Sequence, residues 1–365
     1  MIRLGALLLV ICNFAIAQQE PFRVLHLTFH KGCAQEIQEV AQVLGFEVET
    51  WFIPDLPALF FDGISQGNVL YNMGHERADR IFKLHKSTFD QFDVIMTSDT
   101  APLARIFLQN GFTKPLIVWV CNRFDYSDQA SLDCPFPDAE FYQLFQKASQ
   151  IQNVKVVAYT LFEHEYALKN GVDTGDLVIT PCAPITKRLA SGSLIPHTIN
   201  KKDTFFLPPY SNEELFFNKC SELTTPIYCG RYNGAADLSD FKGIIHFPYA
   251  WSNLALFENI SEGIPYFIPS ISFLKTLLQD DQYWFVNREY LVERELFELS
   301  EWYQPGREEI ITYFDSWEDL QYKIDTVDFS LLRRRIKKYA ESHRLTILDK
   351  WSQLFNEFSF ITSRK

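Results

Sequence analysis

The chain has 365 residues, of which 47% are hydrophobic and 22% charged, enough apolar material for two packed domains and too much for a disordered chain. Its formal net charge of -12 argues against a general nucleic-acid binder, because phosphate backbones are held by basic faces. Any phosphate ligand must therefore be met by local donors.

The first residues read as a targeting segment. Arg3 gives a short positive start, Leu4 to Ile16 is almost entirely apolar, and Ala15-Ile16-Ala17 supplies small residues at the -3 and -1 positions of a cleavage site. Residues 1–17 are expected to be a signal peptide that directs the chain to the secretory pathway: the ER or Golgi lumen, or export. An uncleaved anchor is the lesser alternative and the only expected membrane contact; if the segment is not a signal, the chain is cytoplasmic. Removing it takes Cys12 and leaves Cys33, Cys121, Cys134, Cys182, Cys220 and Cys229, an even set whose spacing dictates no pairing. There is no C-x-x-C and no Cys/His cluster of zinc spacing.

The first half then alternates strands and helices. Strands are expected at Phe22–Phe29, Phe46–Ile53, Asp93–Asp99, Leu116–Cys121 and Val154–Tyr159, with Leu177–Thr180 as a last one. Helices fall at Ala34–Leu44, closed by Gly45, within 72–89, and at Ala101–Asn110. Strands alternating with helices predict parallel βαβ units, hence a Rossmann-like domain over residues 18–185. The first turn lacks G-x-G-x-x-G, which excludes a dinucleotide site of that type. Residues 186–202 lose pattern and gather Gly, Pro, Ser and Lys, the composition of a linker.

A second alternating set occupies residues 203–365. Strands are expected at Thr204–Leu207 and Pro226–Gly230, a charged helix after Phe285 to Leu299, and a cap at Asp315 or Ser316. A long terminal helix carries apolar residues at Leu332, Ile336, Tyr339, Leu348, Trp351 and Phe355, and its Arg333-Arg334-Arg335 and Lys337-Lys338 read as a wet face. Between these lies FKGIIHFPYAWSNLALFENISEGIPYFIPS, residues 241–270. Gly243–Phe247 has strand length and is closed by Pro248; Trp251-Ser252-Asn253 can cap a helix over Ser252–Glu262; Gly263 ends it, and Ile264–Pro269 is the next strand. Strand, loop and helix start together bind phosphate, because unpaired N–H groups and the helix dipole meet there. The sole glycosylation sequon, Asn259-Ile260-Ser261, falls inside that helix and is expected to be unused.

The segment PYAWSNLALFENISEGIPYFIPS resembles the sugar-nucleotide motif in the C-terminal domain of GT-B glycosyltransferases. The resemblance implies two Rossmann-like α/β domains facing a cleft, with a long C-terminal helix crossing back to the first domain. It implies a nucleotide-sugar donor whose diphosphate is met by Ser252 and Asn253 and whose ribose is held by Glu258. Ala250 stands where many retaining members carry a second glutamate, so the paired motif of a retaining mechanism is not present. The resemblance extends over residues 204–365, and over the first half only as architecture.

Within that layout, Arg231 follows a strand end and has the forked geometry for a diphosphate, while Tyr249 or Trp251 can stack on a base. His30 follows the first strand, where inverting members of the superfamily often place a catalytic histidine, and an imidazole suits removal of a hydroxyl proton near neutrality. Asp99 and Asp125 also follow strands, to orient His30 or to serve as base. The chain contains no D-x-D, and no metal or other cofactor is expected. The expected activity is glycosyl transfer from a nucleotide-sugar donor to an unidentified glycan, protein or lipid acceptor. A sugar-nucleotide epimerase of the same fold and a secreted two-domain solute- or glycan-binding protein are the alternatives.

Overall fold

The computed structural model describes residues 22–56, 73–125, 139–175, 177–182 and 192–362. The expected signal segment, Cys134 and about a third of the expected linker lie outside them. The described chain forms two five-stranded sheets, every strand pair parallel. The first contains β1 (Arg23–Thr28), β2 (Glu47–Phe52), β3 (Val94–Asp99), β4 (Leu116–Val120) and β5 (Val154–Ala158), in the order β2-β1-β3-β4-β5. β3 and β4 are buried at every position, so LIVWV reads as an unbroken apolar run, while VIMTSD turns polar toward its C-terminal end; the edge strand β2 is partly exposed throughout.

The second sheet contains β6 (Phe205–Leu207), β7 (Ile227–Cys229), β8 (Gly243–Ile245), β9 (Tyr266–Pro269) and β10 (Ile311–Phe314), in the order β10-β9-β8-β6-β7. Numbered within its own half, this is the same order as the first sheet. In each, the direction of winding reverses between two neighbours, β1 and β3 in one and β6 and β8 in the other. Crevices for ligands open at such switch points, beyond the carboxyl ends of the strands.

Three expectations need correction. Leu177–Thr180 makes only a single bridge, Val178 to Ala158, because Gly175 in a left-handed turn and Pro181 leave too short a run between them. The charged stretch before Leu299 holds one short helix, Arg288–Val292, bounded by Asn287 and Glu295 with φ of 53° and 56° that no helix continues through. Ile311–Phe314, not expected as a strand, pairs with β9, and Ser316 caps the helix after it.

Among the helices packed on the sheets are α1 (Lys31–Leu44), α2 (His75–Phe89), α3 (Leu161–Lys169), α4 (Leu254–Ser261), α5 (Trp317–Thr326) and α6 (Phe329–Thr362). α6 first packs on the second half. There Arg333 is not solvated: its guanidinium donates to the carbonyls of Ser239, Gly263, Phe241 and Lys242, while Arg334, Arg335, Lys337 and Lys338 are exposed. Gly263 has φ +75°, and a Cβ there would lie 2.8 Å from Lys337 Cε, so glycine both ends α4 and admits α6. α6 then crosses to the first half, where His343 Nε2 donates to Pro181 O at 2.8 Å and Lys350 to Val178 O at 2.8 Å. Trp351 meets Trp119 edge-on at 5.4 Å. A second seam holds the halves together: Phe162 of α3 stacks on Trp251 at 3.9 Å and 2°, and Arg123 donates to Asn287 Oδ1 at 2.9 Å.

Candidate active site at the cleft

His30 follows β1 and caps α1, its Nδ1 accepting the Gly32 N–H at 3.1 Å. Its backbone is fixed from below by a buried chain of hydrogen bonds. His30 N–H donates to Thr28 Oγ1 (3.2 Å), which also accepts from Ser98 Oγ (2.9 Å), which in turn accepts from His26 Nε2 (2.8 Å). Burial pushes His26 down to about 3, so it stays neutral and keeps this donor role. The His30 ring itself is exposed.

Asp99 ends β3 beside β1. It is buried, holds φ at +71°, a conformation that costs a non-glycine residue about 1–2 kcal/mol, and accepts Asn122 Nδ2 at 2.8 Å. Burial, reinforced by the Cys33 sulfur, raises its carboxyl to about 7. Cys33, in the first turn of α1, lies with its Sγ 3.8 Å from that of Cys121. That contact, with His30 and Ser98, brings the Cys33 thiol down to about 6 against its burial. The imidazolium of His30 is favoured in return by Cys33 first, then by Asp99 and Glu258, and its pKa lies above the ordinary value.

Glu258 belongs to the other half of the molecule. α4 begins at Leu254, two residues later than expected, because Asn253 is the cap: its Oδ1 accepts the Ala255 N–H at 2.9 Å. Asn253 is held twice more, its N–H donating to the buried Glu301 carboxylate and its Nδ2 to Tyr249 Oη at 3.0 Å. Ser252 is half-buried just before the cap, and Glu258 half-buried one turn along α4. The N-termini of α1 and α4 meet across the cleft, where a Cβ at Gly32 would stand 2.8 Å from Leu254 Cδ1. Two helix starts and their partial positive charges thus face one space.

Tyr249 lies 5.0 Å from Tyr210 and packs nearly parallel to Trp284, at 5.8 Å and 24°, with Trp284 half-exposed. Asn212 holds this ledge, its side chain donating to Trp284 O at 2.8 Å and accepting from Trp284 N at 2.9 Å. Trp251 is buried on Phe162 and belongs to the seam between the halves.

The structure therefore brings His30, Asp99 and Glu258 together, with Asn253, Ser252 and Tyr249 at the same cleft. Two candidates lie elsewhere. Asp125 is buried and accepts from the hydroxyls of Tyr142 and Tyr166, the latter at 2.9 Å, which ties it to the first core. Arg231 is exposed after the edge strand β7, one strand removed from the switch point. Four residues that sequence pattern alone gives no role join the site: Cys33, Tyr210, His246 and Trp284. Tyr210 and Trp284 flank Tyr249 on the ledge, and Cys33 sits three positions after His30. His246 directly follows β8, its Nδ1 bonded to buried Glu213 at 2.5 Å and its buried Nε2 without a partner among the described residues. His246 lines a small cavity with Tyr210, Tyr232, Asn253 and Tyr266. The sequence places His246 inside the expected strand Gly243–Phe247, and only the strand's observed end at Ile245 sets it at the strand terminus.

No family model and no curated protein matches the chain. Among solved structures it is similar to the glycosyltransferase SnogD from Streptomyces nogalater, at 12% identity over 93% of this chain and 100% of that one, with a TM-score of 0.47. It is also similar to a putative UDP-N-acetylglucosamine 2-epimerase from Listeria monocytogenes, at 12% identity over 92% and 97%, with a TM-score of 0.49. A third is Arabidopsis thaliana UGT89C1 complexed with UDP, at 9% identity over 91% and 98%, with a TM-score of 0.46.

Proposed function

We propose that this protein is a glycosyltransferase that moves a sugar from a nucleotide-sugar donor to an acceptor hydroxyl. One observation carries the reading: the first turn of α1, which His30 caps, meets the start of α4, the motif helix that bears Glu258, where a Cβ at Gly32 would stand 2.8 Å from Leu254 Cδ1. A donor gripped at the α4 start would present its anomeric carbon to the loop after β1. The backbone N–H groups of α4 beyond its Asn253 cap, together with Ser252, would meet the diphosphate, Glu258 the ribose, and the Tyr249–Trp284 ledge the base.

His30 would take the acceptor proton. With Nδ1 accepting from Gly32, the neutral ring carries its proton on Nε2. Base action at Nε2 requires that proton at Nδ1 instead, where the negative charge of Cys33 and Asp99 would hold it. Asp99 is then a positioning residue, and the ribose and phosphate contacts supply binding without a part in proton transfer.

Calorimetric titration of UDP and GDP into the protein tests this. Micromolar binding that Glu258→Ala weakens at least tenfold is the expected result. Binding of a free sugar with no affinity for either nucleotide would replace the transferase by the solute-receptor reading.

A further inference from the structure

We propose that Cys33 and Cys121 form a redox-active thiol pair that a hydroperoxide converts reversibly to a disulfide beneath the candidate active site. The two lie 88 positions apart in sequence, one on the first turn of α1 and one just past β4, yet the fold sets their sulfurs 3.8 Å apart. A disulfide spans about 2.05 Å, so rotation of two short side chains, with no reach between elements, closes the remaining gap. Cys121 is partly exposed and Cys33 is buried behind it, each a free thiol. Cys121 Sγ also contacts Trp119 O at 3.6 Å. Of the two, Cys33 is the low thiol, drawn down by Cys121, His30 and Ser98, whereas burial pushes Cys121 upward, as it does Cys182 and Cys220.

The oxidation balances in two steps. The Cys33 thiolate attacks the outer peroxide oxygen. An S–O bond forms, the O–O bond breaks, and the departing alkoxide or hydroxide takes a proton from water. Cys121 sulfur then attacks the Cys33 sulfenic acid; the S–S bond forms, the S–O bond breaks, and the hydroxyl leaves with the Cys121 proton as water. Two sulfurs are oxidised and one hydroperoxide is reduced, and a dithiol reverses the change by exchange.

The bond removes the negative sulfur beside His30, leaving Asp99 and Glu258 as its charged neighbours. Oxidation then lowers the pH at which the imidazole loses its proton. The bearing of this on turnover rests on His30 being the base; the formation of the bond does not.

Reduced full-length protein, treated with hydrogen peroxide, alkylated with iodoacetamide and digested without reductant, tests the pair. The expected product is a peptide joining Cys33 to Cys121 that dithiothreitol separates and Cys33→Ser abolishes; the same joined peptide in untreated protein, opened by dithiothreitol, supports the proposal equally. Cys33 fully alkylated after peroxide, or joined peptides drawn from other cysteines, would overturn it. An NMR titration of His30 should show a lower pKa in the oxidised protein, and an unmoved pKa with the bond in place would overturn the coupling. Nucleotide calorimetry on the reduced protein reports separately on the transferase reading.

Discussion

After β1 and β3 the N-terminal half places His30, Cys33 and Asp99; after β6 and β8 the C-terminal half places Tyr210, His246 and the Asn253 cap. Both positions are switch points of sheets with one strand order. The first is filled with groups that exchange protons near neutrality, held by a hydrogen-bonded floor and one strained residue. The second is filled with aromatic rings, a capped helix start and buried polar anchors. Topology decides where a ligand can sit, and the residues at the strand ends decide what happens there. On the proposed reading, one half performs proton transfer and the other holds the donor.

The comparison breaks most sharply at His30. His30→Ala should lower turnover by about 10²–10⁴ while leaving nucleotide affinity within about twofold, read by initial rates and calorimetry. The raised pKa of His30 sets the acid limb of the rate profile above pH 6.5, since the base is free only after its proton is lost. Loss of nucleotide affinity with turnover intact would reverse the two roles.

The seam between the halves comes next. Phe162→Ala empties a stack against Trp251 and should cost about 3–4 kcal/mol, measured by denaturant unfolding. Glu301 sharpens the same boundary through pH. Burial, with Glu163 contributing, raises its carboxyl to about 8 from an ordinary 4.5. The folded state thus holds its proton more tightly than the unfolded one, so stability is full below pH 4.5 and falls as pH rises toward about 8. Glu301→Gln should flatten that fall, by on the order of 4 kcal/mol at pH 8, in thermal unfolding followed across pH. Smallest is Asn253→Ala, where loss of the α4 cap should cost about 1 kcal/mol and weaken UDP binding severalfold.

How legible was this in the sequence? The parallel strands of the first half were, because β3 and β4 are buried on both faces and open on apolar residues, LIVWV throughout and VIMTSD over its first three. The capping of α4 was also readable from Trp251-Ser252-Asn253, to within two residues. Ile311–Phe314 was not, since a four-residue edge strand with two half-exposed positions has too little pattern to stand out. Arg333 misled because a guanidinium among five basic residues looks solvated until the carbonyls it binds, some 70 to 90 positions away, are in place. His30, Asp99 and Glu258 were proposed from strand ends and motif order, and the fold sets them near one another. Asp125 shared that position but turned inward to two tyrosines, and only tertiary packing distinguishes the two outcomes.

The claim that the two switch points act on one cleft is tested most directly by the titration of His30 in the intact protein, followed by NMR with labelled histidine. Glu258→Gln should lower the His30 pKa, because the carboxylate on the opposite half favours the imidazolium. A His30 titration unmoved by that substitution would show that the two halves do not share a site.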